Sequence, residues 1–447
     1  MVMETPAKIR KVMKVMERPK LPILTSARLE SPAVLEVGWL AEGQEQLVKF
    51  PAVFLRDNCT CPKCLHPVTR QRKYEVSLPL KAAMSSVSLK GSTVTVCFEN
   101  DCAPEYDANF LFTHAPAQLG PTVVQHRCLP GELRAWSAKD MNAEGGPGTV
   151  EFQKFLDEPD MTALGLDILL RDGLVVLTNA GTEIGTVRKL ESAIGKLRPS
   201  QYGGEIADIC NHGEANPDSQ AFTSNWLPLH TDLPSVACPP DIGLLHCIIQ
   251  SNDGGENIFS DGEYVAQVFR EKYPAYYKSL TETLVHFSDD GRQRKGKGDT
   301  LSSFYFECWH PTIEEQASHT FGCSSKKPRH RISFNHGNRG TMVPQALNKE
   351  TVWPSEERRL EAFFEALSAF GEMLHGPEAK ITYKLEPGSI VLWDNRRVLH
   401  GRNAFSKTKP TLSASGASKH SRHLQAAYLN FDDVFSQLRI LRSLPVH

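Results

Sequence analysis

Leu229-His230-Thr231-Asp232-Leu233 sets an imidazole and a carboxylate two residues apart. In an extended chain alternate side chains share a face, so His230 and Asp232 are expected to point together. A neutral imidazole and a carboxylate suit a borderline divalent metal such as Fe(II). Far down the chain, Trp393-Asp394-Asn395-Arg396-Arg397-Val398-Leu399-His400-Gly401-Arg402 can supply a third ligand, His400. Two histidines and one carboxylate would hold one face of the metal and leave the other open to a co-substrate and O2. A lone His-X-Asp is more often a chance surface pair, so the features around it have to decide.

The 447 residues are enough for one large domain and a smaller one. A hydrophobic share of 40% and a charged share of 23% are those of a globular protein. A formal net charge of −2 gives no electrostatic case for nucleic acid or an anionic membrane surface. No apolar run approaches the roughly 20 residues of a membrane span. Eleven cysteines in so long a chain do not suggest a disulfide framework. Four of them look like metal ligands, which favours a reducing compartment: the cytoplasm, with the mitochondrial matrix as the alternative.

Residues 1–28 read as a flexible tail. Ile9, Val12, Met13 and Met16 share one helical face opposite Lys8, Arg10, Lys11 and Lys14. That pattern fits either a transit peptide or a solvated arm. Residues 29–125 read as a small β domain. Strands are expected at Ala33–Trp39 and Leu47–Phe50, and a second pair, Val87–Leu89 and Val94–Phe98, turns at Lys90-Gly91-Ser92. Between the pairs, Cys59-Thr60-Cys61-Pro62-Lys63-Cys64 places three thiols in six residues. A structural Zn(II) takes a fourth ligand, here Cys102, with His66 and Cys97 in reserve.

Residues 126–158 are punctuated by proline and glycine and read as a linker. Residues 159–447 then mix helices with apolar strands. Helices are expected over Asp160–Leu170, Thr182–Leu197, from Asp261, from a Ser355 cap, and from Asp432. Gly243–Ile249 is expected to turn at Asp253-Gly254-Gly255 and pair with Asn257–Phe259. Ile381–Leu385 and Ser389–Trp393 are expected to form a hairpin about Glu386-Pro387-Gly388. Residues 406–420 read as a polar loop before the strand His423–Tyr428. Many antiparallel strands with covering helices imply a mainly β fold with α: a jelly-roll (double-stranded β-helix) catalytic domain beside the zinc-binding β domain.

The ligand set and a nearby arginine fit an Fe(II)- and 2-oxoglutarate-dependent oxygenase. The keto acid would chelate the metal, and its distal carboxylate would take a forked donor, which arginine supplies better than lysine. Arg422 is the first candidate and Arg402 the second. Oxidative decarboxylation to succinate would then drive hydroxylation of an unactivated C–H bond, with ascorbate as reductant. The same three ligands could hold a catalytic zinc, but no general base stands beside them. A catalytically inactive barrel that binds a ligand is the non-enzyme alternative.

At these residues the sequence resembles the γ-butyrobetaine and trimethyllysine hydroxylase family, within the taurine-dioxygenase-like oxygenases. The likeness rests on Leu55 through Cys64, His230-Thr231-Asp232, Leu245-His246-Cys247-Ile248, Gly254 through Gly262, Leu399-His400-Gly401-Arg402, Ser421-Arg422-His423-Leu424 and Leu438-Arg439-Ile440-Leu441-Arg442. It implies iron at His230, Asp232 and His400, 2-oxoglutarate at Arg422, zinc in the first domain, and a homodimer. It also implies a small amine or betaine substrate, such as γ-butyrobetaine or trimethyllysine.

The resemblance implies an aromatic cage around a quaternary ammonium group. Here the sequence departs from the family. The position after the metal Asp is Leu233, and an upstream aromatic segment reads Tyr202-Gly203-Gly204-Glu205-Ile206. Tyr202, Phe222, Trp226 and Tyr428 could supply part of a cage, and Asn335 sits where the family has a substrate contact. Glu205, if it faces the pocket, could pair with a different small amine or amino acid.

Overall fold

The computed structural model describes residues 23–41, 44–75, 77–99, 102–114, 133–202, 204–210, 220–291, 304–316, 329–342, 356–406 and 421–442. The amphipathic arm, the Ser355 cap and the polar loop from 407 onward lie outside them. Two compact units result: the described residues up to His114 form the first, and those from Leu133 form the second.

The first unit is two antiparallel three-stranded sheets around one core. One sheet is the meander β1 (Ile23–Ser31), β2 (Val34–Ala41) and β3 (Gln44–Pro51). The other is β4 (Met84–Lys90), β5 (Thr93–Phe98) and β6 (Glu105–Asp107). In β5 the period of two is clean: Val94, Val96 and Phe98 are buried, and the residues between them are half-exposed. They meet Leu35, Val37, Trp39 and Phe50 from the first sheet. The expected turn at Gly91 is present, with φ +61 where a side chain would be strained. The expected tail ran too far, because β1 starts at Ile23 and pairs with β2. Within β1 only Leu24 is fully buried, so the strand shows little apolar alternation in the sequence.

The second unit has two larger sheets. A six-stranded sheet runs β7 (Gly148–Glu151), β8 (Leu174–Thr178), β18 (Ile390–Asp394), β11 (Ile242–Ile249), β20 (His423–Leu429) and β9 (Ala207–Cys210). A four-stranded sheet runs β10 (Leu227–His230), β19 (Val398–Arg402), β12 (Asn257–Asp261) and β17 (Lys380–Tyr383). All these pairings are antiparallel except β7 with β8. Val176, Leu245, Cys247, Val391, Trp393 and Leu424 of the first sheet share a core with Phe259, Ile381 and Val398 of the second. On the other side of the four-stranded sheet, Leu229, Ile258 and Leu399 pack under helices Gly262–Lys272, Pro274–Glu282 and Glu356–His375.

Two expected hairpins are corrected. β11 and β12 lie in different sheets, and so do β17 and β18. Each connection crosses from one sheet to the other. Gly254 and Gly255 (φ +73 and +75) turn the first crossing, and Gly388 (φ +84) turns the second.

The expected linker is also corrected beyond residue 133. Trp136 is fully buried, its indole donates to the Asp172 carbonyl at 2.7 Å, and β7 adds an edge to the large sheet. The expected helix over Thr182–Leu197 shrinks to a 3-10 turn, Thr186–Lys189, and one helical turn, Leu190–Ala193. Gly185, at φ +84 just before the turn, limits the helix, while Val187, Leu190 and Ile194 still pack inward. Helix Pro159–Asp172 forms as expected and stops at Gly173, φ +73.

The turn between β18 and β19 is fastened by charge. Arg397 donates to both oxygens of Asp261, at 2.9 and 2.7 Å, and both side chains are almost fully buried. The remaining guanidinium N–H groups reach the carbonyls of Arg171 and Arg134, so neither partner lacks hydrogen bonds.

Candidate metal centre and co-substrate pocket

β10 and β19 are neighbours, and their register sets His230 opposite His400. The two rings lie 4.3 Å apart between centroids. β10 ends at His230, so Asp232 is not in the strand. Its convergence has another cause. Asn395, fully buried at the end of β18, accepts from the Asp232 N–H at 2.8 Å and donates to the Asp232 carbonyl at 3.0 Å. Leu233 follows at φ +56, a left-handed backbone that costs a leucine energy and turns the chain away.

The result is one compact set of donors. His230 Nε2 lies 3.3 Å from Asp232 Oδ1, and His400 Nε2 lies 3.5 Å from Oδ2. The Pro228 carbonyl can only accept, so at 2.8 Å it fixes the proton on His230 Nδ1. In the neutral ring the Nε2 lone pair then faces the carboxylate, acceptor against acceptor. A cation between them satisfies both, and the set fits a divalent metal in donor type and count. Burial pushes the His400 imidazole down to about 3, so the ring is neutral, the ligating form. Burial opposes the charge on Asp232, yet the two imidazoles and the Tyr428 hydroxyl hold its carboxyl down at about 2. Tyr428 donates to Asp232 Oδ2 at 3.1 Å, and Trp393 packs on the His400 ring at 4.4 Å.

Arg422 immediately precedes β20, whose Leu424 and Ala426 face the core shared by the two sheets. Its Nε donates to Gln250 at 3.2 Å, and among the described residues that is its only hydrogen bond. The guanidinium lies over Phe405 at 5.7 Å, and Gly255 passes so close that a Cβ there would come within 3.3 Å of it. Arg402 approaches the same ring at 5.0 Å but is otherwise committed. Its terminal nitrogens donate to the carbonyls of Ala221, Thr223 and Asn225, at 3.0, 2.7 and 2.8 Å. Arg402 therefore holds the loop that leads into β10. Burial pushes Arg422 down to about 10 and, with the repulsion of Arg422, Arg402 to about 9. Two buried cations beside one phenyl ring suit a carboxylate ligand.

The other residues singled out in the sequence divide. Asn335 donates to the Thr231 carbonyl at 3.1 Å and accepts from Asn338, so it braces the His-X-Asp segment. Phe222 lies in the 3-10 turn Gln220–Phe222, within the loop Arg402 holds. Trp226 is 54% exposed and packs on His375. Glu205 is drawn outward by Arg188 at 2.7 Å and does not face the centre. Tyr202 donates to Asp289. Asn395 lay within the stretch that suggested His400 but had no assigned role there; Gln250, Phe405 and Asp289 carried no local signal.

In the first unit Cys59, Cys61, Cys64 and Cys102 converge. Cys102 Sγ lies 3.1, 3.2 and 3.6 Å from the other three sulfurs. Sulfurs on a zinc tetrahedron would be roughly 3.8 Å apart, so the four thiols are spaced closely enough for one such ion to be held among them. Burial pushes Cys59 up to about 12 and Cys102 further still, so these thiols ionise only with a cation among them. Arg56 donates to Cys64 at 2.8 Å and Cys102 at 3.4 Å, which sets a positive charge beside the cluster. The reserve ligands stand apart: His66 caps its own loop through the N–H groups of Val68 and Thr69, and Cys97 lies on the outer face of β5.

Known proteins are similar to this chain over most of its length. A γ-butyrobetaine dioxygenase of Pongo abelii is 29% identical over 419 residues, covering 93% of this chain and 96% of that one. The Homo sapiens γ-butyrobetaine dioxygenase is 28% identical, with the same coverage. A trimethyllysine dioxygenase of Meyerozyma guilliermondii is 23% identical, covering 88% of this chain and 90% of its own. The profile described as taurine catabolism dioxygenase TauD, TfdA family matches residues 133–428. That span runs from just before Trp136 to Tyr428 and takes in both sheets, so by its second unit the chain belongs to the TauD/TfdA dioxygenase family.

Proposed function

We propose that this chain is an Fe(II)- and 2-oxoglutarate-dependent oxygenase that hydroxylates an unactivated C–H bond of a small amine or betaine. The observation that carries the proposal is the meeting of His230 and His400 lone pairs on the half-buried Asp232 carboxylate, at 3.3 and 3.5 Å. When bound, iron and 2-oxoglutarate would supply the oxidation: the two atoms of O2 divide between succinate and the new hydroxyl, and CO2 is lost.

The chain's own residues do the rest. His230, Asp232 and His400 would hold the metal on one side. Tyr428 keeps one Asp232 oxygen oriented, and Asn395 keeps the backbone that carries it in place. The free end of the Arg422 guanidinium would take the distal carboxylate of the keto acid as a forked donor. Phe405, against both arginines, keeps water from that carboxylate.

The facing sheets support a double-stranded β-helix for the catalytic domain, beginning near residue 133. A structural Zn(II) at Cys59, Cys61, Cys64 and Cys102 would stabilise the small first domain. That reading goes with a reducing compartment, cytoplasmic or in the mitochondrial matrix, and with a homodimer. The names of the relatives support γ-butyrobetaine or trimethyllysine as substrate. A second reading, a different small amine, is favoured by Leu233 and Ile206 and by the exposure of Trp226.

The test is succinate formation from 2-oxoglutarate with Fe(II) and ascorbate, over a panel of betaines, trimethyllysine, lysine and simple amines. His230→Ala and Asp232→Ala should abolish turnover, and Arg422→Lys should raise the KM for 2-oxoglutarate about 10- to 100-fold. Full turnover in either ligand variant would sink the metal assignment. An inactive binding barrel would form no succinate at all.

A further inference from the structure

β13 (Leu284–Asp290) pairs with β14 (Tyr305–Pro311) in a two-stranded ribbon. Val285 and Phe287 of β13 are buried in the helix-side core, and Asp289 follows on the same face. One oxygen of Asp289 is committed. Oδ2 accepts from Gln201 Nε2 at 2.9 Å and from the Tyr202 hydroxyl. Oδ1 accepts no hydrogen bond among the described residues. The Tyr202 ring stands edge-on to Phe304, with centroids 6.1 Å apart.

Hydrogen bonds bring this end of β13 to the neighbourhood of the metal centre. Asn338 donates to the Ser288 carbonyl at 3.3 Å and to Asn335 Oδ1 at 3.1 Å. Asn335 then holds the Thr231 carbonyl. Hydrogen bonds thus tie the end of β13 to the His-X-Asp segment.

We infer that Asp289, with Tyr202 and Phe304 beside it, is the subsite for the substrate's ammonium group, and that it selects an ammonium that still carries an N–H. This rests on the oxygenase reading above and deepens it. An N–H donor gives the open Oδ1 a charge-assisted hydrogen bond. A trimethylammonium group has no donor and depends on aromatic faces around it. Positions 206 and 233 are aliphatic, and Trp226 is exposed. Glu205 is not the partner, because Arg188 already holds it.

The test uses the full chain loaded with Fe(II) and two homologous series: 4-aminobutyrate and lysine, each with its side-chain nitrogen carrying zero to three methyl groups. Substrate-stimulated succinate formation should be strongest for the unmethylated or monomethylated member and weakest for the trimethylated one. Asp289→Asn, which keeps the shape and an acceptor for Tyr202, should raise the KM of the preferred amine about 10- to 100-fold. The preference over the trimethylated member should collapse. Asp289→Glu should recover part of the affinity.

The inference is overturned if the trimethylated member is preferred, or if Asp289→Asn leaves the KM and the preference unchanged. It is equally overturned if no amine stimulates a protein that turns over 2-oxoglutarate alone. Failure of the oxygenase reading is distinct: neither wild type nor Asp289→Asn would then form succinate in any arm.

Discussion

Asn395→Ala tests what aims the metal carboxylate. Asn395 is fully buried and makes three hydrogen bonds through its side chain: two to the Asp232 backbone, at 2.8 and 3.0 Å, and one to the Pro240 carbonyl at 3.0 Å. A hydrogen bond contributes about 0.5–1.5 kcal/mol net, so the two that end on Asp232 hold it with about 1–3 kcal/mol. At 1.4 kcal/mol per decade, that is about 5- to 140-fold in metal affinity. The assay is an anaerobic Fe(II) titration with 2-oxoglutarate present, read from the weak visible band of the chelate. Asn395→Asp should be as poor, because a carboxylate would face the carbonyls of Asp232 and Pro240 in place of the amide donor. Circular dichroism and zinc content check that both variants fold. An Fe(II) affinity within twofold of wild type, in a folded protein, would refute the idea that this clamp places the ligand.

Asp394 offers a pH test: burial pushes its carboxyl up to about 6, so its favourable protonated form is lost as pH rises from about 4 through about 6. Asp394→Asn should therefore gain stability relative to wild type across that window, by up to about 3 kcal/mol in urea unfolding; a pH-independent difference would refute the shift. In the first unit, Cys102→Ala should take zinc from about one per chain to near none, whereas Cys102→His should retain it, by elemental analysis. Equal zinc in both variants would remove Cys102 from the site.

Much of the site was legible because its motifs are local. His-X-Asp, the three-cysteine knuckle and the glycine after helix Pro159–Asp172 are each contained in a few residues. Partnerships between distant segments were not. β11 and β18 are buried on both faces, so their sequences read as continuous apolar runs with no period of two to say which sheet each joins. Alternation would put Trp226 on the face of His230, but the register slips between Leu227 and His230, and such an irregularity breaks the parity. Asp232 lies past the end of its strand, so alternation does not explain its direction; a distant asparagine does. Glu205 stands in the segment that the resemblance sets at the substrate, and Arg188 is recognisable as its mate only in the folded chain.

The crossings between the two sheets also set a folding order. Asn395 grips Asp232 across 163 residues of chain, and Tyr428 reaches it across 196. Such long closures form late, after the loop entropy between them has been met. A chain emerging from the ribosome therefore presents His230 and Asp232 well before His400 exists to complete the set. Until β19 and β20 have joined their sheets, the three donors remain apart along the chain.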